Sequence, residues 1–526
     1  MGRESSLNLM KFPRLSWIII ALALLGALMG YYISIKLSTM TKVMPESSAM
    51  SGGQFTGDHL NFPENSIEGE LVVHFKKRGD YLDCLKALAR AGMPPLGQID
   101  ELLAICVSEA AYRRVDLDQY KPSASYNYRV ERPLPPFKTA PYSLTNLVAY
   151  DESARIVTGG TFSGSGEGVL VAVLDSGIMS HPQFDDVYTV HINLVGGNIA
   201  GPGAAHGNSV ASIITGTEGI AADAELLVVR VLDDEGFGNS YHVSEGIVQA
   251  VDLGAQIINM SLGLYQDSPL LRQAVDYAHE RGVLMVAAAG NDGYEGLPYP
   301  AAYSDVLSVT AIDGTGQHAI FPNKSNAIDF AAPGVGILTA MEDEGTVLFS
   351  GTSASTPFVT GTLAALISGD RALPPKQAAE LLKRTLNDQG ASGADPTYGA
   401  GVVDWNRLRE RFNTGLLDVA LADIFLPASA QPGTTMPIEV TVQNRGTRWF
   451  DSAQLEVFIN EDEPRLFTLG ALSPGQITTR EVFTPIPLLD SGETLRLGAR
   501  VLPEKFEEDI RPENNIKSIS FSQGSQ

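Results

Sequence analysis

Three different spacings of apolar residues run along this chain. Between residues 168 and 408, short apolar runs (170–174, 225–231, 257–260, 283–289 and 306–310) alternate with helix-like stretches. Uninterrupted runs of that length are buried on both faces, so their alternation with helices predicts an α/β body built on a doubly wound parallel sheet, placed at 150–412. Ahead of it, residues 70–75, 102–107 and 125–130 read as strands, 80–91 as an amphipathic helix and 109–115 as a short helix, together a small α+β domain over 68–131. Beyond residue 416 the period becomes two. There 417–424, 436–443, 454–459, 476–483, 493–501 and 516–521 are separated by Pro-Gly, Asn-Arg-Gly and Ser-Gly turns, which predicts an all-β sandwich over 415–526.

The N-terminal end has a fourth texture. Arg3, Lys11 and Arg14 precede an uncharged apolar run, 15–35, closed by Lys36. That run is about long enough to cross ~30 Å of hydrocarbon as a helix. Leu28-Met29-Gly30 lacks the small-x-small pattern of a cleavage site. The reading is therefore an uncleaved signal anchor at 1–36 with the remainder extracytoplasmic, at the cell surface or in the periplasm; secretion after signal cleavage is the alternative. A polar tract, 37–67, follows as a flexible spacer, and the Pro-rich start of 132–149 marks an exposed linker.

Charge narrows the partners. Lys+Arg 37 against Asp+Glu 61 gives a net charge of −24, and no basic stripe offers itself to phosphates, which argues against nucleic acid. Cys84 and Cys106, the two cysteines, both fall in the small α+β domain, where a disulfide and two buried thiols are both open readings.

Candidate chemistry centres on Phe349-Ser-Gly351-Thr-Ser353-Ala-Ser355-Thr-Pro357, a glycine-led loop running into a small-residue apolar helix. Amide groups at such a helix start favour negative charge developing beside Ser353. A serine hydroxyl needs a base to become a nucleophile, and an acid to orient the base. Val171-Ala-Val-Leu-Asp175-Ser-Gly177 is an apolar strand ending in an aspartate and a glycine turn, and His206-Gly-Asn-Ser-Val-Ala211 opens a helix with a histidine. Taken singly, each motif has an ordinary explanation as a turn or a helix cap. Their order, Asp175, His206, Ser353, separates this chain from hydrolases that run Ser-Asp-His or His-Asp-Ser. His181 lies close to Asp175 in the chain and Ser355 close to Ser353, but neither has the surrounding motif.

At these residues the chain resembles the subtilisin-like serine proteases, whose signatures are Asp-[Ser/Thr]-Gly, His-Gly-x-x-Val-Ala and Gly-Thr-Ser-x-[Ser/Ala]-x-Pro. The resemblance covers roughly 140–410. It implies a subtilisin-like fold, with His206 as general base, Asp175 as its orienting acid and Ser353 as nucleophile. Val283-Leu-Met-Val-Ala-Ala-Ala-Gly290-Asn291 ends where the family keeps its oxyanion donor, so the resemblance places Asn291 there beside the Ser353 N–H. It likewise makes Ser261, Leu262 and Gly263 the edge that pairs with substrate, and sets them with Ala288 and Gly290 around an open specificity pocket for apolar or aromatic side chains. The small α+β domain resembles the family's inhibitory propeptide, and its last strand would lie along the site. Calcium commonly stabilises the family, although no ligand cluster stands out here and no metal-binding residue is assigned. Val440-Thr-Val-Gln-Asn444-Arg-Gly446 and Pro512-Glu-Asn-Asn515 resemble bacterial cell-adhesion-related immunoglobulin-like domains.

The expected function is thus a membrane-tethered, self-processing serine endopeptidase acting on proteins or peptides, with its own propeptide as inhibitor. An inactive adhesion or scaffold protein that binds through the β-sandwich is the alternative.

Overall fold

The computed structural model describes residues 42–43, 62–133, 165–341, 345–369, 373–427, 433–460, 462–485 and 494–522. The chain divides after Met44 into two compact units. In the first only Lys42–Val43 are described, as a two-residue strand. The expected anchor at 15–35 and most of the linker lie outside the described residues. Among the described residues, no helix is long and apolar enough to cross a membrane.

The second unit begins with the α+β body: β1 (Ser66–His74), α1 (Arg78–Arg90), β2 (Gly97–Ile99), β3 (Ala104–Ser108), α2 (Glu109–Arg114) and β4 (Ser123–Glu131). Strand β1 starts at Ser66, two residues inside the expected spacer, where the Ser66 hydroxyl and N–H both bond Pro63 O. Helix α1 turns Tyr81, Cys84 and Leu88 onto the sheet, and both cysteines are free thiols. Burial pushes the Cys84 thiol up to about 11, and the Cys106 thiol is raised by burial and by the Glu70 carboxylate beside it. Both are therefore held as unreactive thiols.

The α/β body contains β5 (Leu170–Asp175), β6 (Thr189–Asn193), α3 (Ala205–Ile214), β7 (Glu225–Arg230), β8 (Phe237–Asn239), α4 (Ser240–Asp252), β9 (Ile257–Met260), α5 (Pro269–Glu280), β10 (Leu284–Ala288), β11 (Leu307–Ile312), β12 (Phe330–Pro333), the hairpin β13 (Ile337–Ala340) and β14 (Thr346–Phe349), α6 (Thr352–Gly369), α7 (Pro375–Arg384) and α8 (Trp405–Glu410). Seven strands form one sheet in the order β12-β11-β10-β9-β5-β7-β6. Every neighbouring pair in it is parallel. This is the doubly wound sheet that the apolar runs predict, with β6 and β12 added at its edges; β8 and the β13–β14 hairpin lie outside it. Helix α6 is buried from Thr352 to Ile367, and Phe358 stacks on Trp405 at 4.6 Å between centroids. A helix buried on all sides belongs in a core, and here it carries Ser353 in its first turn.

The small body's sheet runs β2-β3-β1-β4-β8, so β8 of the α/β body is its edge strand. Asn127 on β4 ties the two bodies together. Its Oδ1 accepts from the Ser240 hydroxyl and the Tyr241 N–H, both at 3.1 Å, at the start of α4. Its Nδ2 donates to Glu70 at 2.8 Å.

The C-terminal body packs a three-stranded antiparallel sheet, β15 (Val419–Phe425), β16 (Thr435–Asn444) and β19 (Ile477–Pro485), against a four-stranded one in the order β18 (Arg465–Leu469), β17 (Ala453–Ile459), β20 (Thr494–Pro503), β21 (Ile516–Ser522). One core joins them, including Val440 and Val442 from the first sheet and Leu455, Ala499 and Val501 from the second. Strand β18 is additional to the six expected. Asn444 and Asn515 of the two quoted motifs are buried braces: Asn444 donates to Arg448 O and Leu472 O, and Asn515 to Val419 O.

Candidate active site

The parallel sheet gathers residues that are far apart in sequence. Asp175 ends β5, His206 lies in the first turn of α3, and Ser353 lies in the first turn of α6. His206 Nδ1 faces both carboxylate oxygens of Asp175, at 2.9 and 3.0 Å. The Asp175 side chain is fully buried and that of His206 is 8% exposed, so little water competes for this contact. Oδ1 of Asp175 also accepts the Ser176 N–H at 2.7 Å. His206 Nε2 and Ser353 Oγ are buried without hydrogen-bond partners among the described residues. In free enzymes such bonds are often long and tighten when substrate binds. The Phe349 ring stands edge-on to the imidazole at 5.4 Å and walls off one side of it.

Asn291 follows β10 and Gly290, whose φ of +93° lets the chain turn sharply there. Its Oδ1 accepts from the N–H and the hydroxyl of Thr352, both at 2.9 Å, which leaves Nδ2 directed toward the loop before Ser353. A Cβ placed on Gly351 would stand 3.0 Å from Asn291 Nδ2 and 3.7 Å from Ser353 N. Asn291 Nδ2 and the Ser353 backbone nitrogen thus both border the position where glycine, with φ +138°, carries no side chain. Thr352, which orients the amide, was not singled out from the sequence, although it stands inside the Gly-Thr-Ser motif.

The structure separates the five expected wall residues into two groups. Gly263 and Gly290 border a cavity of about 250 Å³, together with Tyr265, Asp292, Tyr294 and Pro298. The side chains of Ser261, Leu262 and Ala288 are fully buried. The Ser261 hydroxyl donates to Ser353 O at 3.2 Å. An acid and two tyrosines therefore border the cavity beside the glycines, polar groups that small-residue motifs do not reveal. Tyr265 donates to Asp292, and burial together with that carboxylate raises the phenol's pKa.

Strand β4 lies between two edges of the α/β body. Arg129, Val130 and Glu131 pair antiparallel with Asn239, Gly238 and Phe237 of β8. Glu131 and Gly263 exchange both backbone bonds, at 2.9 and 3.1 Å. Continued in this register, the chain would set residue 133 opposite Ser261, which touches Ser353.

His181 takes another place. Its Nδ1 accepts the Gln183 N–H and its Nε2 lies 3.1 Å from Gly345 O, so it caps a short turn. Ser355 bonds back to Thr352 O. Among the described residues, no group of three or more His, Cys, Asp or Glu side chains is placed to hold a metal ion.

Comparisons with known proteins bear on this geometry. The family model described as "Subtilase family" matches residues 166–401, and the CARDB model matches 417–518. A thermostable alkaline protease of Halalkalibacterium halodurans is 38% identical over 253 residues, 46% of this chain and 68% of that one. A thermophilic serine proteinase of Bacillus sp. strain AK1 is 31% identical over 355 residues, 63% of this chain and 86% of that one. The minor extracellular protease Epr of Bacillus subtilis is 36% identical over 256 residues, 46% of this chain but only 38% of that one.

Proposed function

The chain belongs to the subtilase family of serine proteases and carries a C-terminal CARDB domain; from that premise we propose that Asp175, His206 and Ser353 form its catalytic triad in a self-processing endopeptidase. The observation carrying this reading is the buried His206–Asp175 contact, with Asn291 Nδ2 and the Ser353 nitrogen both bordering Gly351.

In the proposed reaction Ser353 Oγ attacks the scissile carbonyl carbon while His206 Nε2 takes its proton. Asp175, facing Nδ1, holds the tautomer and stabilises the imidazolium. The carbonyl oxygen, now negative, is met by Asn291 Nδ2 and the Ser353 N–H; removing one such donor from an oxyanion hole costs ~3–4 kcal/mol. The imidazolium then protonates the leaving amine, and water cleaves the acyl-enzyme by the same steps in reverse. An extended substrate would pair with Gly263 through its backbone.

The small α+β body acts in this proposal as propeptide and intramolecular inhibitor. Support comes from β4, which already occupies both edges of the groove and leads the chain toward Ser353. Cleavage is placed in the 132–145 stretch. We place the catalytic domain outside the cytoplasm, consistent with a relative named as extracellular. Tethering through residues 15–35 remains part of the proposal, to be tested by finding the chain in washed membranes. The test of function compares wild type with Ser353→Ala: casein hydrolysis and self-cleavage are expected only in wild type. Equal activity in both proteins would remove the triad assignment.

A further inference from the structure

Arg230 is the largest fully buried side chain in the described residues, 1% exposed at the end of β7. A guanidinium taken out of water is tolerated only when its donors are satisfied. Here Nη1 donates to Ser176 O, Nε to Gly196 O at 3.1 Å, and Nη2 to Asp234 Oδ1 at 2.7 Å. The Asp234 side chain is 55% exposed, so the ion pair runs from the interior to the surface.

What the fork holds is the turn after Asp175. In the sheet Arg230 is the register partner of Asp175. Ser176 connects three groups: its N–H bonds Asp175 Oδ1, its hydroxyl accepts the Gly207 N–H at 3.4 Å next to His206, and its carbonyl meets Arg230. Gly177 continues the turn at φ +108°, where an added Cβ would stand 2.1 Å from Ile199 O. Turning the Ser176 carbonyl away from Arg230 would rotate the peptide plane next to the one whose N–H holds the carboxylate.

We propose that Arg230 is a positioning residue for the Asp175–His206 pair, its buried fork fixing the Ser176 carbonyl and with it the orientation of the Asp175 carboxylate. This rests on the triad reading given above. A misplacement of about 1 Å at reacting groups can cost ~100-fold in rate, and the loss falls on kcat because the substrate-pairing edge at Gly263 is untouched.

The test uses the full-length chain, with Arg230→Met and Arg230→Lys beside wild type and Ser353→Ala. Hydrolysis by wild type but not by Ser353→Ala secures the triad independently of Arg230. Folded Arg230→Met is expected to lose about a hundredfold in kcat with KM within twofold. Its self-cleavage, which has no KM, should slow in parallel. Arg230→Lys keeps the charge but reaches fewer carbonyls, and should recover part of the loss. An unchanged kcat in folded Arg230→Met, or a loss carried by KM, overturns the proposal. If the methionine variant does not fold, the lysine variant decides: a kcat about tenfold below wild type at unchanged KM supports the role, and a wild-type kcat overturns it.

Discussion

Replacing Asn127 by alanine should loosen the small α+β body from the α/β body without touching the groove. Asn127 is 1% exposed and makes three side-chain hydrogen bonds: two accepted from Ser240 Oγ and Tyr241 N at the start of α4, one donated to Glu70. The Tyr241 N–H belongs to the first turn of α4, whose amides have no partner within the helix. Alanine leaves that donor and the Ser240 hydroxyl unmet in a dry interface and takes a donor from a carboxylate. The Glu70 bond lies within the small body, so only the other two cross the interface; at about 1 kcal/mol each, docking loses ~2 kcal/mol. This corresponds to a weakening of docking of roughly 30-fold. The assay follows peptide hydrolysis while the self-cleaved wild type and variant are diluted: the variant should shed inhibition at a roughly 30-fold higher concentration. Lys86→Ala, on the exposed face of α1, serves as control and should behave as wild type. Inhibition in folded, cleaved Asn127→Ala within threefold of wild type would refute both the energetic argument and the inhibitory role.

Thr352→Val removes the hydroxyl that holds Asn291 Oδ1 and accepts the Gly290 N–H at 3.2 Å, so kcat should fall roughly 30-fold (~2 kcal/mol) with little change in KM, as read by steady-state kinetics. Burial, reinforced by the Asp395 and Asp423 carboxylates and opposed by the Gly393 N–H and Arg445, raises Asp388 to about 7. A carboxyl group raised above its unfolded value binds its proton more tightly when folded, so its contribution favours the native state at low pH and fades as pH climbs from about 4 to about 7. Asp388→Asn should therefore flatten the fall in thermal stability across that window, by up to about 1.4 kcal/mol per pH unit, as measured by calorimetry.

The parts of the site that the sequence displayed are those coded by local motifs. Asp175, His206, Asn291 and Ser353 each stand at a strand end or helix start with a glycine within two residues, and each motif can be read from a few consecutive residues. The parts it concealed depend on pairing across the sheet. Arg230 reads as one polar residue at the end of an apolar strand, and only the β5–β7 register sets it beside Asp175. Phe349 belongs to a hairpin whose two short strands carry exposed Leu338 and Leu348, a pattern that does not announce a buried face. Strand β6, with its intermediate and exposed positions, lies at the sheet edge and lacks the continuous apolar signature of the central strands. Asn127 is a polar residue in a strand, and its importance comes from a helix end more than a hundred residues later. The cysteines are two buried thiols, Cys84 on α1 and Cys106 on β3, both in the core of the small body.

In the proposed mechanism everything depends on Ser353 being an activated nucleophile. Labelling the folded protein with a fluorophosphonate, followed by peptide mass spectrometry, tests it most directly, because such a reagent bonds a serine only when a base removes its proton. One adduct per active chain is expected, on Ser353, lost in Ser353→Ala and at least a thousandfold slower to form in His206→Ala. No adduct on folded, propeptide-free wild type, an adduct on Ser355 instead, or undiminished labelling of His206→Ala would contradict it.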